Sequence, residues 1–176
     1  MMVTPHLLAG AAVAKLARRP ALAWPLALAS HFVLDAIPHV HPASLFDGAE
    51  TGLTDTAIVA GLLDVSLGVL LVAVLALPRH DRKLLLGGAL CGFLPDLIDA
   101  LPGIGPWLRT SPGTSVIGAG HHGLQHLLPP PPVWLGISTQ IIVSVIAIWV
   151  VRHHWRPSGR QWKGKGHSAR NRGWQV

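Results

Sequence analysis

The sequence predicts an all-α membrane protein, a polytopic helical bundle of about four spans preceded by a short N-terminal helix that enters the membrane without crossing it. Half of the 176 residues are hydrophobic and only 12% are charged, whereas soluble domains carry about 25% charged residues. Long apolar runs recur along the chain, and the basic residues fall in alternate connections between them. A single cysteine, Cys91, excludes a disulfide framework.

The apolar segments define the predicted helices. The N-terminal helix, residues 5–16, follows Thr4, which suits a helix cap. Its dozen residues span about 18 Å, less than the hydrocarbon core of about 30 Å. The last segment carries Trp134 and Trp149 near its two ends, where interfacial aromatic residues are expected. The four predicted spans cover residues 21–37, 52–77, 84–101 and 133–151.

Basic residues give the predicted orientation. They cluster after the N-terminal helix, after the second span and in the tail, whereas the connections 38–52 and 102–132 contain only Arg109. By the positive-inside rule, the basic connections and the C-terminus are cytoplasmic. We therefore expect a multi-pass protein of the cell inner (plasma) membrane. Its predicted parts are a membrane helical domain, residues 1–151, and a basic, disordered cytoplasmic tail, residues 152–176. The tail follows an apolar span, so anionic lipid headgroups are its expected partner, in preference to nucleic acid.

Ionisable residues within the apolar segments share one predicted depth. His6 and His31 each lie 12 positions from an arginine, Asp64 lies 15 from Arg79, and Asp96 lies 13 from Lys83. These separations correspond to roughly 18 to 22 Å of helix. An ionisable residue inside a membrane is costly and marks a functional site that faces the bundle interior. The four positions therefore predict a polar layer in the outer half of the membrane.

The stretch "SHFVLDAIPHVH" contributes to this layer. His31 and Asp35 are four residues apart, so they share one face of a helix. Pro38 ends that helix, and His39 and His41 follow it in the outward connection. We interpret the first pair as site residues and the later histidines as residues of the rim.

Two later motifs supply similar groups. In "GFLPDLIDALP", Asp96 and Asp99 are three residues apart and share a helical face. In "HHGLQHLL", His122 and His126 have the i, i+4 spacing of a helical ligand pair, and His121 is the weaker candidate. Imidazole and carboxylate groups together suit Zn, and also Mn or Fe.

These motifs resemble a family of membrane-bound metal-dependent hydrolases that takes one of its names from a LexA-regulated inner-membrane member. His6 in "TPHLLAG" matches the leading histidine of that family, and Asp96 matches the first aspartate of its Leu-Pro-Asp-x-Asp-His segment. His121, Gly123 and His126 match its His-Arg-Gly-x-Thr-His-Ser segment. The chain departs from these patterns at Asp99, Ala100, His122, Gln125 and Leu127.

The resemblance implies a membrane hydrolase that uses a divalent metal, with zinc as the first expectation. The predicted metal ligands are His6, His31, Asp35, Asp96, His122 and His126. Asp64 and Asp99 are the predicted base or orienting groups. From the location of the site, we expect a small amphiphilic or lipid-derived substrate.

Two alternatives remain from the sequence. The same layer could serve as the midway site of a metal-ion or proton transporter, although the apolar segments below it contain nothing ionisable. The polar groups could also join the helices of a non-catalytic scaffold.

Overall fold

A computed structural model of the chain describes residues 1–41, 45, 55–125, 129 and 131–153, with the backbone alone for residues 117, 119, 122 and 125. The predicted tail beyond His153, and His126, lie outside the described residues. The described part folds into seven helices, which confirms the all-α class. They are α1 (Val3–Ala17), α2 (Pro20–Asp35), α3 (Asp55–Ala76), α4 (Arg82–Ala100), α5 (Ile104–Thr110), α6 (Ser115–Gln125) and α7 (Val133–Arg152).

Two of these helices, α3 and α7, are long and apolar enough to cross a membrane, with mean hydropathies of 2.6 and 2.0. Helices α4 and α5 together would make a third candidate span, although they meet at an angle of 85°. Helix α1 is shorter but also apolar. Among the described residues there are therefore two or three candidate membrane spans and a short apolar N-terminal helix.

The short helix α1 lies at the centre of the bundle. It packs against α2, α3, α4 and α7, and ten of its fifteen residues are buried. The core that surrounds it is built from small and aliphatic side chains, with Leu8 and Leu85 completely buried. A helix surrounded in this way buries apolar side chains on all of its faces, which explains why α1 shows no polar stripe.

Glycines allow α1 and α4 to approach each other closely. A Cβ at Gly10 would overlap the carbonyl oxygen of Gly88, and a Cβ at Gly92 would lie 2.6 Å from the carbonyl oxygen of His6. Small residues at such contacts let two helix backbones pack together where side chains would hold them apart. Since Gly92 is one helical turn before Asp96, this contact also brings His6 towards that carboxylate.

The outer surface of the bundle is apolar. Large hydrophobic side chains are exposed along α2, α3, α4 and α7. Leu63, Leu70 and Trp149, for example, are each more than half exposed. Monomeric soluble proteins rarely expose continuous apolar surface of this extent. The surface thus has the character expected of helices in contact with lipid.

Two short helices, α5 and α6, lie within the predicted connection 102–132. A Pro–Gly pair precedes each of them, and Gly103 and Gly113 have φ angles of +81° and +89°. Glycine adopts such angles without the steric cost that a side chain adds. The glycines therefore turn the chain before α5 and before α6, and α6 carries His121 towards the end of α2.

At the other end of α1, a buried ion pair joins Lys15 to Asp81, which precedes α4. The Lys15 side chain is only 3% exposed. Burial alone would raise the pKa of the Asp81 carboxyl, but the hydrogen bond and charge of Lys15 hold that pKa below its ordinary value. Lys15 therefore fastens α1 to the α3–α4 turn, in addition to contributing to the basic connection.

Candidate metal centre

Three helices bring four metal-ligating side chains together. His31 and Asp35 come from the last turns of α2, Asp96 from α4 and His121 from α6. One ligand atom from each residue lies within 4.8 Å of those of the other three. Three of the side chains are buried and Asp96 is partly buried. We call these four residues the metal group.

The distances within the metal group are short and similar. The Nε2 atoms of His31 and His121 lie 3.0 Å apart. From Asp35 Oδ2, the distances to these two nitrogens are 3.1 and 3.3 Å. From Asp96 Oδ1, both distances are 3.5 Å. Each histidine nitrogen thus lies within 3.5 Å of the other nitrogen and of one oxygen from each carboxylate.

The orientation of His31 is set by a backbone hydrogen bond. Its Nδ1 lies 2.8 Å from the carbonyl oxygen of Gly92. A carbonyl oxygen only accepts, so Nδ1 carries the proton and donates it. In the neutral ring the lone pair of Nε2 then points towards the carboxylates of Asp35 and Asp96. Histidines that bind metals are commonly oriented by a partner at the other ring nitrogen in this way.

His6, a predicted ligand, lies beside the metal group. Its ring stacks on that of His31, with centroids 4.1 Å apart. Its Nε2 lies 3.1 Å from Asp35 Oδ1 and 3.9 Å from Asp96 Oδ2. The amino nitrogen of Met1 lies 3.0 Å from the same Asp35 oxygen. The structure thus brings together four of the predicted ligands: His6, His31, Asp35 and Asp96.

The third histidine of the metal group is His121, the candidate that the sequence analysis ranked below His122. The side chain of His122 and the whole of His126 lie outside what the structure describes. The prediction of His122 rested on its i, i+4 spacing from His126 within one helix. The contacts of His121 with Asp35 on α2 and Asp96 on α4 bring His121 into the metal group instead. The resemblance stated above had already matched His121.

Asp64, predicted as a base or orienting group, lies at the start of α1. Its Oδ2 accepts hydrogen bonds from the backbone N–H groups of Val3 and Thr4, at 2.5 and 3.2 Å. The Thr4 hydroxyl donates to the carbonyl oxygen of Asp64 at 2.8 Å. Helix N-termini have unsatisfied N–H groups and favour negative charge. The structure therefore explains a partly buried acid on α3 as the cap of α1, and its catalytic role stays a prediction.

Asp99, the other predicted catalytic acid, pairs with Arg109 of α5. Both side chains are about one-third exposed. The ion pair closes the bend between α4 and α5, and Asp99 is not among the four residues of the metal group. Its role as a base also stays a prediction.

Gln140 on α7 is a supporting residue that the sequence analysis did not identify. Its Oε1 accepts a hydrogen bond from the backbone N–H of Met2 at 2.9 Å. Its Nε2 donates to the carbonyl oxygen of Val40 at 3.4 Å. Gln140 is buried, so a long amide side chain within an apolar span was the available signal. It fastens the start of α1 to the segment after α2.

The predicted rim histidines contact each other after the end of α2. His39 Nδ1 donates to the carbonyl oxygen of Ile37 at 2.7 Å, and the Nε2 atoms of His39 and His41 lie 2.9 Å apart. His39 is buried, although the sequence analysis placed it at a rim. Neither residue belongs to the metal group.

Comparison with family models, with curated proteins and with solved structures found no match to this chain.

Proposed function

We propose that this chain is an integral membrane metalloprotein that binds a divalent ion at His31, Asp35, Asp96 and His121. The observation that supports the proposal is the set of five ligand–ligand distances that involve His31 or His121, 3.0 to 3.5 Å. A tetrahedral ion with bonds of about 2.0 to 2.2 Å has edges of about 3.3 to 3.6 Å. The four side chains therefore need only small adjustments to hold such an ion.

The chemistry of His31 favours a metal over a network of hydrogen bonds. In the neutral ring, the Nε2 lone pair points at two carboxylate oxygens, because Nδ1 donates to Gly92. A proton on Nε2 could serve only one of these acceptors well, whereas a cation between them interacts with all. Two carboxylates and two imidazoles also balance the charge of one divalent ion. Nitrogen and oxygen ligands in this arrangement suit zinc first, with Mn and Fe as alternatives.

For the reaction, we propose metal-dependent hydrolysis, as the resemblance of the motifs implies. A divalent ion polarises a carbonyl or phosphoryl oxygen and activates water as a nucleophile. Asp35 and Asp96 hold the ion, and the carbonyl of Gly92 keeps His31 aimed at it. The residues beneath the metal group, such as Leu7, Leu8 and Ala11, are apolar. An apolar core below the site supports hydrolysis more than transport across the membrane.

We further propose the four-span topology, with the C-terminus in the cytoplasm of a bacterial inner membrane. In addition to α3 and α7, the spans are α2, with 16 residues, and α4, with 19. These helices extend over about 24 and 28 Å, close to the thickness of the hydrocarbon core, and expose Leu22, Leu26 and Leu90. The metal group then lies in the outer half of the bilayer, where an amphiphilic or lipid-derived substrate has access.

Metal analysis of the detergent-purified full chain, prepared without chelator, tests this proposal. We expect a stoichiometric divalent metal in the wild type and its loss in Asp96→Asn and His31→Ala. The matched control is Asp99→Asn, one turn from Asp96 but paired with Arg109, which should retain the metal. A wild type without stoichiometric metal would contradict the proposal, as would metal that persists in both site variants.

Hydrolysis needs its own measurement. We expect the metal-loaded wild type to cleave at least one chromogenic amphiphilic ester or phosphoester, and a chelator to abolish that cleavage. Asp96→Asn should lose turnover together with the metal. If the metal-loaded protein cleaved none of these compounds, the proposal of metal binding would stand, but the proposed hydrolysis of amphiphilic esters or phosphoesters would be contradicted.

A further inference from the structure

In each of the two carboxylates of the metal group, one oxygen faces His31 and His121 and the other oxygen faces His6. Asp35 Oδ2 and Asp96 Oδ1 face His31 and His121, at 3.1 to 3.5 Å. The opposite oxygens, Asp35 Oδ1 and Asp96 Oδ2, face His6 Nε2 at 3.1 and 3.9 Å. One imidazole thus lies on the far side of the same two carboxylates. This is the arrangement of bridging carboxylates between two cation positions.

We propose that the chain binds a second divalent ion, held by His6 Nε2, Asp35 Oδ1 and Asp96 Oδ2. Asp35 and Asp96 then bridge a two-metal centre, and the inference rests on the proposed first ion. Two-metal sites in hydrolases have ions about 3.5 to 4 Å apart, a separation that bridging carboxylates can span.

The position of His6 supports this assignment. The His6 ring is completely buried and is stacked on His31 at an interplanar angle of 28°. Because the rings are stacked, the Nε2 atoms of both histidines lie near the same pair of carboxylates. His6 Nδ1 has no hydrogen-bond partner among the described residues, so the ring is oriented by stacking on His31 and by the contact of its Nε2 with Asp35 Oδ1. The amino nitrogen of Met1 lies 3.0 Å from Asp35 Oδ1, and the second ion takes the place of that contact.

A second ion also narrows the substrate class. One divalent ion is neutralised by the charges of Asp35 and Asp96. Two ions leave an excess of positive charge inside a largely buried site, which an anionic group must balance. A phosphoester supplies that charge, and two-metal centres stabilise both the attacking and the leaving oxygen of phosphoryl displacement. We therefore assign an amphiphilic phosphoester as the substrate class, in preference to a carboxylic ester.

Metal stoichiometry of the detergent-purified full chain, loaded with Mn²⁺ and freed of excess metal, tests the second ion. We expect two Mn²⁺ per chain in the wild type and half of that content in His6→Gln. The matched control is His153→Gln, an exposed histidine at the opposite end of the bundle, which should keep both ions. Circular dichroism of each variant reports whether the helices are retained.

The outcomes separate the two proposals. A wild type with no bound Mn²⁺ overturns the first ion and, with it, the second. One Mn²⁺ per chain that is lost in His121→Ala and unchanged in His6→Gln supports the first ion and overturns the second. Two ions that persist in a folded His6→Gln variant overturn the assigned ligand.

Electron paramagnetic resonance of the Mn²⁺-loaded wild type decides the question if His6→Gln does not fold. Carboxylate-bridged Mn²⁺ ions give an exchange-coupled signal, whereas separate ions give the hyperfine pattern of single Mn²⁺. The coupled signal supports the bridge by Asp35 and Asp96. A pattern of single ions at full loading overturns it.

Inorganic phosphate tests the substrate class. We expect phosphate to raise the unfolding midpoint of the wild type carrying two ions and to have no effect on His6→Gln carrying one. An equal effect on both proteins, or no effect on either, overturns the assignment of a phosphoester.

Discussion

The two ends of α1 bury charge in different ways. At the C-terminal end of α1, one ammonium group, on Lys15, meets one carboxylate, on Asp81. At the other end, the carboxylates of Asp35 and Asp96 meet the imidazoles of His6, His31 and His121. The first arrangement is balanced by the protein itself. In the second, two carboxylates face three imidazoles and one ammonium group, that of Met1, and in the proposed function a divalent ion binds among them.

This difference distinguishes a buried ion pair that stabilises the fold from a buried cluster that offers ligand atoms to a cation. A buried ion pair that is complete within the chain stabilises the packing of α1 against the α3–α4 turn and has no need of a ligand. A buried group that is incomplete without a cation is a binding site, because isolated charge in an apolar environment is costly. The Lys15–Asp81 pair and the metal group lie at opposite ends of α1. Substitutions or treatments can therefore perturb one end, the other end or both.

The largest effect is expected from Gly10→Val, which acts on both ends. A side chain at Gly10 overlaps the backbone of Gly88, so α1 and α4 must separate. We expect a loss of more than about 3 kcal/mol of unfolding free energy, since overpacking alone costs about 1 to 3 kcal/mol, together with loss of bound metal. Unfolding in detergent followed by circular dichroism measures the first, and metal analysis the second.

The matched control for this change is Gly61→Ala on α3. A Cβ at Gly61 would have no heavy atom of the described residues within 4 Å, and alanine is favoured over glycine in a helix by up to about 1 kcal/mol. Equal destabilisation by both substitutions would show that the close contact of α1 with α4 does not hold the two ends together.

The next effect is expected from Asp81→Ala, which acts on the C-terminal end of α1 alone. It leaves the Lys15 ammonium buried without its partner, and breaking a buried pair costs about 3 kcal/mol or more. Lys15→Met combined with Asp81→Ala should recover part of that loss, because no buried charge remains. Metal content should stay at the wild-type level in both proteins. Loss of metal would show that the two ends are not independent.

Chelation of the metal acts on the other end alone and has a smaller expected effect. At free metal a hundredfold above its dissociation constant, binding stabilises the folded state by about 2.7 kcal/mol. We expect EDTA to lower the thermal unfolding midpoint of the wild type and of Asp81→Ala by similar amounts. His121→Ala should be insensitive to EDTA, and an equal shift in that variant would contradict the ligand assignment.

The smallest effect is the pH dependence of the Lys15–Asp81 pair. Because the folded protein holds the pKa of Asp81 below its ordinary value, the pair contributes its full stability above that ordinary value, about 3.9. The contribution is lost as the pH falls through the lower pKa of the folded state. We expect wild-type stability to decrease below about pH 4 more steeply than that of Asp81→Asn. If the stability of the wild type and of Asp81→Asn decreased in parallel with falling pH, Asp81 would not be the cause of the acid sensitivity.

Much of the metal group could be predicted from local spacing. His31 and Asp35 are four residues apart on one helix, and they do lie in one site. Counting residues from the basic connections placed His6, His31 and Asp96 at one level, and their side chains do converge. The proximity of these side chains could be predicted because helical rise and periodicity are regular over a single helix.

Spacing was not informative where contacts between helices determine the partner of a side chain. Asp64 shares that level, but the N-terminus of α1 lies against it and takes its carboxylate as a cap. Asp99 shares a helical face with Asp96, but the bend after α4 brings Arg109 to it. The choice between His121 and His122 depended on how α6 rotates against α2. Spacing along one helix contains no information on any of these three contacts.

The sequence by itself determined an all-α chain with apolar candidate spans, a short apolar first helix and several ionisable residues at a common level. Hydrophobic composition and helical periodicity are local properties, so they can be read without a fold. Only the tertiary structure decided that α1 lies at the centre, that His121 completes the metal group and that Asp35 and Asp96 face histidines on both sides. Those features depend on how closely helix backbones approach, and the contact of Gly10 with Gly88 and Gly92 sets that distance.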